Sequence, residues 1–307
     1  TIGSVFVYFE INFERLLQST GQTKLSMWAQ IIGAVANIIL DPFFIYGWCG
    51  LPAMGTTGAA IATFSSRVVE FVISLVYALH CKQMPLLPAC ILRPGKATFR
   101  SFVKFSTPVL LNETLWGTGT SLYTVIMGHM AGSTDLISAY TVAGNIDKMV
   151  TVAIFGVAAA AAVIVGKEVG MGGKNAYPIG QALTFVAFCT GFGVAIAEQI
   201  LFWLVLKPHV LPLFSMTAAS ASLCVTMMIC YSISAPLHAF ATTGIVGVLR
   251  GGGDVRAAML IDLLPLWCVS LPLLVLLGLV LHAPIALFCF VMAMESLLKV
   301  PLGMCRV

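Results

Sequence analysis

Charge is what this sequence has least of: Asp, Glu, Lys and Arg together make up 9% of its 307 residues. Soluble domains carry about a quarter, so an ordinary water-soluble domain is excluded, and no polar stretch is long enough to form a separate one. The basic residues are scattered and the net charge is only +4, so the clustered patch that binds nucleic acid is missing. Nine cysteines occur without a C-x-x-C pair or a Cys/His grouping at metal spacing, which leaves zinc sites and a disulfide framework unsupported. There is no His-Glu-x-x-His, no paired-Asp motif for magnesium and no Ser/His arrangement, which disfavours a membrane enzyme. The five histidines, His80, His129, His209, His238 and His282, fall mostly near the ends of apolar runs. Residues 1–9 are neither a basic leader nor a cleavable signal and read as the end of a helix already under way.

What is abundant is apolar surface: 59% of residues are hydrophobic and the mean hydropathy is +1.00. A helix needs roughly 20 apolar residues to cross the hydrocarbon. The runs predict spans near 24–48, 53–80, 100–129, 135–166, 176–206, 218–248, 255–280 and 283–303, after one partial span. The fold class is therefore all-α, a polytopic membrane helix bundle. With Gly21 in a cytoplasmic turn, the loops place nearly all loop cations, from Arg15 and Lys24 to Lys299 and Arg306, on the inside and only Lys207 outside. The segment from His80 to Lys104, rich in cations and proline, reads as the linker between two bundles.

An internal repeat supports that division. The run Leu16-Leu17-Gln18-Ser19-Thr20-Gly21-Gln22-Thr23-Lys24 has the shape of Val248-Leu249-Arg250-Gly251-Gly252-Gly253-Asp254-Val255-Arg256, and Asp41-Pro42 and Leu271-Pro272 follow at nearly the same offset. Six spans lie between the copies, so they share one orientation and define parallel repeats. The expected organisation is two parallel-repeat lobes of six helices each, the first incomplete here: 1–80 as the later part of the first lobe, 81–99 as a cytoplasmic linker, and 100–307 as the second lobe.

Nearly the whole chain resembles the multidrug and toxic compound extrusion (MATE) transporters. Asn37-Ile38-Ile39-Leu40-Asp41-Pro42, Leu51-Pro52-Ala53-Met54-Gly55 and Gly58-Ala59-Ala60-Ile61-Ala62-Thr63 are similar to the family's fifth and sixth helices. Arg250-Gly251-Gly252-Gly253-Asp254 resembles the turn before its eleventh helix, and Gly166-Lys167-Glu168-Val169-Gly170-Met171-Gly172 the turn after its eighth. The first three helices of the family and most of the fourth lie outside this sequence.

Charge inside hydrocarbon is costly and has a functional reason by default. Asn37 and Asp41 are four apart and share one helix face. Such oxygens a turn apart can wrap a small hard cation, or the carboxylate can take and release a proton. The resemblance implies a Na+ or H+ site that uses Asn37, Asp41 and Thr63, with Asn37 and Asp41 as Na+ ligands and a further Asp outside this chain. The plainer alternatives are that Asp41 ends a regular helical stretch before Pro42 and that Thr63 bonds its own backbone.

In the second half, Glu113, Trp116, Gly117 and Thr120 fall at i, i+3, i+4 and i+7 on one otherwise apolar helix, a stripe expected to face the bundle interior. Glu113 matches an acidic residue that some family members carry on the seventh helix, and Asp262, with Trp267 beyond it, is the expected second carboxylate. If the two approach, repulsion and burial would hold a proton on one of them; otherwise they face separate watery vestibules. Asn145 is a further candidate for the cavity, beside Asp147 and Lys148, which point to different faces. Arg67 and Glu70, three apart, suit a structural ion pair, and Glu198 and Glu295 are placed near helix ends.

The implied function is a cation-coupled antiporter, driven by Na+ or H+ with no other cofactor, in which two bundles rock about a cavity and export amphipathic, often cationic, organic compounds. Its partners are those small molecules and membrane lipids, not nucleic acid. It is expected to be a monomer, not an enzyme, in a plasma membrane, which the resemblance implies is the bacterial inner membrane. The alternatives are a lipid or glycolipid flippase of the same architecture, and a truncated, non-transporting fragment.

Overall fold

The computed structural model describes residues 2–19, 21–50, 52–80, 95–214 and 216–306. It divides into two compact units, Thr1–Phe99 and Arg100–Val307. Within the described residues the first unit contains α1 (Ile2–Ser19), α2 (Thr23–Tyr46) and α3 (Thr56–His80). The second contains α4 (Lys96–Gly128, whose first turn precedes the division), α5 (Ser133–Gly170), α6 (Ala176–His209), α7 (Ala218–Leu249), α8 (Val255–Val280) and α9 (Ile285–Met304), the last interrupted at Met294.

The all-α architecture follows from the solvent. In lipid each backbone N–H and C=O must be satisfied within the segment itself, and a helix does this locally. Among the described residues seven helices, α2, α3 and α5 to α9, are long and apolar enough to cross a membrane. The outward-facing side chains match a lipid solvent, since Ile38, Met149, Phe185 and Leu204 are all well exposed. In the second unit the core is apolar and closed, with Met127, Phe202, Leu266 and Phe288 fully buried.

Helices α1 and α4 are more polar than the other seven. Helix α1 carries Glu10, Glu14 and Arg15; α4 has 33 residues, long enough to cross, but carries Asn112, Glu113 and several hydroxyls. Thr114, Thr118 and Ser121 each donate to the carbonyl four residues back, which reconciles hydroxyls with an apolar setting. The sequence places the start of this helix at 100 and a linker over 81–99. Residues 81–94 lie outside the described residues, and Lys96–Phe99 already belong to α4.

The proposed repeat has a structural counterpart at its turns. Gly21 has φ +84° and Gly253 φ +89°. The Gly21 N–H donates to Gln18 O at 3.0 Å and the Gln22 N–H to Leu17 O at 2.9 Å; the Gly253 N–H donates to Arg250 O at 3.1 Å and the Asp254 N–H to Leu249 O at 2.9 Å. The two segments thus close their helices with the same pair of bonds at matching positions. Glycine is required because a left-handed residue satisfies the last carbonyls only at a φ that side chains resist.

A second use of glycine fixes helix spacing. A Cβ on Gly251 would lie 2.8 Å from the Ala162 backbone, and one on Gly191 2.5 Å from Pro236 Cα. Small residues let α5, α6 and α7 approach backbone to backbone, where dispersion and packing hold membrane helices together in place of the hydrophobic effect.

Candidate functional site

The first unit has a half-open cavity of about 540 Å³ between α1, α2 and α3. Asn37 and Thr63 are on its walls; Asp41, one turn further along α2, is half-buried and not on them. The walls also hold Glu10, Glu14, Arg67 and Glu70. Glu10 and Glu70 are buried, at 3% and 2% exposure, and Arg67 serves both: its Nη1 is 2.7 Å from Glu70 Oε2 and 4.0 Å from Glu10 Oε2. Gly33 makes the room, because a Cβ there would sit 3.1 Å from the Glu70 carboxyl. Asn37 Nδ2 is buried without a hydrogen-bond partner. The ion pair expected between Arg67 and Glu70 is present, but Glu10, which completes it from α1, has no sequence signal linking it to α3.

The second unit has two small cavities, of about 180 and 150 Å³, whose walls share Trp116, His238, Ser296 and Lys299. Thr120 lines the larger; Glu113 and Asp262 line the smaller. The helix stripe from Glu113 to Thr120 therefore does point toward cavities, though Glu113 and Trp116 stay well exposed and a Cβ on Gly117 would meet nothing within 4 Å. Asn145 is exposed on α5, and Trp267 packs against the core with its Nε1 buried and unpartnered; neither lines these cavities.

Glu113 and Asp262 each bond a different cation. Arg250 Nη1 donates to Glu113 Oε1 at 2.7 Å, whereas Lys299 Nζ donates to Asp262 Oδ1 at 2.7 Å. Asn112 Nδ2 donates to Asp262 Oδ2 at 2.9 Å. Lys299 also lies 2.6 Å from Glu295 Oε1, and the Tyr123 hydroxyl donates to Glu295 Oε2 at 2.6 Å. The result is a chain of contacts, Asn112–Asp262–Lys299–Glu295–Tyr123, drawn from α4, α8 and α9. Beside it His238 has Ser296 Oγ 3.4 Å from Nδ1 and Thr242 Oγ1 3.4 Å from Nε2.

Some ionisable residues in and near this network are not where the sequence suggests. Lys299, counted above as a loop cation, is only 7% exposed, between two carboxylates. Glu295 does begin a helical segment, but at the break after Met294 inside α9. Glu198 is fully buried within α6, where it accepts from Ser232 Oγ at 2.8 Å. His238 is well inside α7. One signal was legible: Glu295 and Lys299 are an i,i+4 acid–base pair inside an apolar run. Their meeting with Asp262 and Tyr123 had none.

Among the described residues no group of three or more His, Cys, Asp or Glu is arranged to hold a metal ion. A monovalent cation needs less: the Asn37 and Thr63 oxygens with the Glu10 or Glu70 carboxylate are suitable hard donors in the first cavity.

Apolar helices that turn ionisable side chains inward, onto cavities, define a multi-pass membrane protein. The comparisons agree: the chain belongs to the MatE family, whose model matches residues 108–276. A probable multidrug resistance protein NorM of Pasteurella multocida is 24% identical over 275 residues, which are 86% of this chain and 56% of that protein. The chain thus spans about half the length of such relatives. Among solved structures, an outward-facing multidrug resistance MATE family transporter of the MOP superfamily superposes with a TM-score of 0.80 at 19% identity, over 99% of this chain and 67% of that one. The MATE transporter ClbM in complex with Rb+ gives 0.74 at 20% identity, over 95% and 62%. These similarities establish the fold, and the family is one of transporters, not enzymes.

Proposed function

We propose that this protein is a cation-coupled secondary antiporter that exports amphipathic, often cationic, organic compounds across a bacterial inner membrane by alternating access. The observation that carries the reading is the placement of carboxylates on cavity walls inside an apolar bundle. In the second unit Glu113, Asp147, Asp262 and Glu295 face the cavities against only Arg250 and Lys299. That balance is negative, and Trp116, Tyr140 and Tyr231 supply aromatic surface beside it, which suits a cation with a greasy body. In the first unit Glu10, Glu14 and Glu70 face Arg67 alone.

Coupling requires only that the small cation and the organic substrate favour opposite conformations. Asn37, Asp41 and Thr63 in one unit and Glu113 and Asp262 in the other are the coupling residues in this reading. Na+ is the ion that Asn37 and Asp41 would hold, and H+ is the alternative. A relative named as binding Rb+ lends support to a monovalent cation.

The test is ethidium efflux from vesicles, with a Na+ gradient and a proton gradient imposed separately. Efflux that follows one gradient establishes the antiporter and its ion. Efflux indifferent to both overturns coupling, and normal efflux from both Asp41→Asn and Glu113→Gln removes those residues from the mechanism.

A further inference from the structure

We propose that Lys299 is a tethered cation that occupies the carboxylate site of the second unit and closes it to Na+. Asp262 and Glu295 offer four oxygens, and each already has a donor: Lys299 Nζ on Asp262 Oδ1 and Glu295 Oε1, Asn112 Nδ2 on Asp262 Oδ2, and the Tyr123 hydroxyl on Glu295 Oε2. The ammonium lies 2.7 and 2.6 Å from the two carboxylates and thus takes the central position that a free monovalent cation would need. Because it is covalently attached, its local concentration far exceeds that of a dissolved ion, and burial at 7% exposure strengthens its attraction to both acids.

A second, independent feature is a spare donor oxygen beside the site for a dissolved cation once the ammonium is removed. Asn112 is 1% exposed, and its Oδ1 is buried with no hydrogen-bond partner. Rotating that amide would present this oxygen to a cation beside the Asp262 carboxylate, with Glu295 and the Tyr123 oxygen completing a hard-donor set. Lys299 is therefore a specificity residue. The inference rests on the antiporter reading for its consequence only: if Na+ drives transport, it acts through the first unit.

The test is thermal unfolding of the whole purified protein in Na+ against choline at equal ionic strength. It is done in an Asn37→Ala/Asp41→Asn background, which removes a cavity-lining donor of the other candidate site together with Asp41. That protein should be indifferent to Na+. Adding Lys299→Ala or Lys299→Met should make the midpoint rise by several degrees with Na+, and adding Asp262→Asn should abolish the rise. If the Lys299 variants do not fold in choline, purification in Na+ or methylammonium should restore them. Na+ stabilisation of that background protein that Asp262→Asn removes would show the site open with Lys299 in place and overturn the inference. Lys299 variants that respond to neither Na+ nor methylammonium, folded or not, would overturn it too. The readout is binding, so a failure of the efflux assay leaves it intact, and an open site leaves the antiporter reading standing.

Discussion

Arg250 holds Glu113 at 2.7 Å, so the glycine-rich turn before α8 is tied to the middle of α4 across 137 residues. The pair is partly open, with the Glu113 side chain 56% exposed. Ion pairs in such settings contribute about 0–1 kcal/mol. Arg250→Ala should therefore move the unfolding midpoint by no more than a degree or two while lowering efflux, because it frees a carboxylate on a cavity wall. A large loss of stability would show that the pair is structural.

The Lys299 cluster should behave differently. Its side chains are 9% (Lys299), 15% (Asp262) and 12% (Glu295) exposed, and removing one partner of a buried ion pair costs about 3–5 kcal/mol. Lys299→Met alone should be strongly destabilising, and Asp262→Asn less so, since Lys299 keeps Glu295. The Lys299→Met/Asp262→Asn double variant should recover part of the loss. Denaturation of the four proteins in one detergent, analysed as a double-mutant cycle, measures the coupling.

Arg67 predicts a parallel result in the first unit. It is the cation that faces both Glu10 and Glu70, so Arg67→Met leaves two buried carboxylates without it. The variant should be poorly folded, and Glu10→Gln with Glu70→Gln should restore it. Failure of the double replacement to rescue would mean that the Arg67 stem, not its charge, matters.

Glycine spacing gives a test free of electrostatics. Gly251→Ala would place a methyl 2.8 Å from the Ala162 backbone, which cannot swing aside as a side chain can. Overpacking of this kind costs about 1–3 kcal/mol. Gly128→Ala, where a Cβ would meet nothing within 4 Å, should leave stability unchanged. Thermal midpoints of the two variants provide the comparison.

Much of the fold was legible because lipid makes it local. The apolar runs at 135–166 and 255–280 fall within α5 and α8, whose ends the structure places at Ser133–Gly170 and Val255–Val280. The turn at Gly253 was legible for the same reason: a left-handed residue closing a helix is decided by its near neighbours. Lys299 was misplaced because a basic residue near the end of an apolar run looks the same whether it snorkels to the interface or turns inward. Glu198 looked like an end residue although the apolar run continued to 206, because its partner Ser232 lies on another helix and leaves no local sign.

The sequence by itself determined that this protein is a bundle of membrane helices with carboxylates inside the hydrocarbon and a MATE-like order of turns. Hydrogen bonding within each segment and the cost of charge in lipid settle those matters over a few residues. Only the tertiary structure decided which charges meet. Asn112 and Asp262 are 150 positions apart and Tyr123 and Glu295 are 172; their contact depends on how each helix is rotated about its axis. Close packing between these helices constrains that rotation, as at Gly119 of α4, where a Cβ would lie 2.6 Å from the Leu266 side chain of α8.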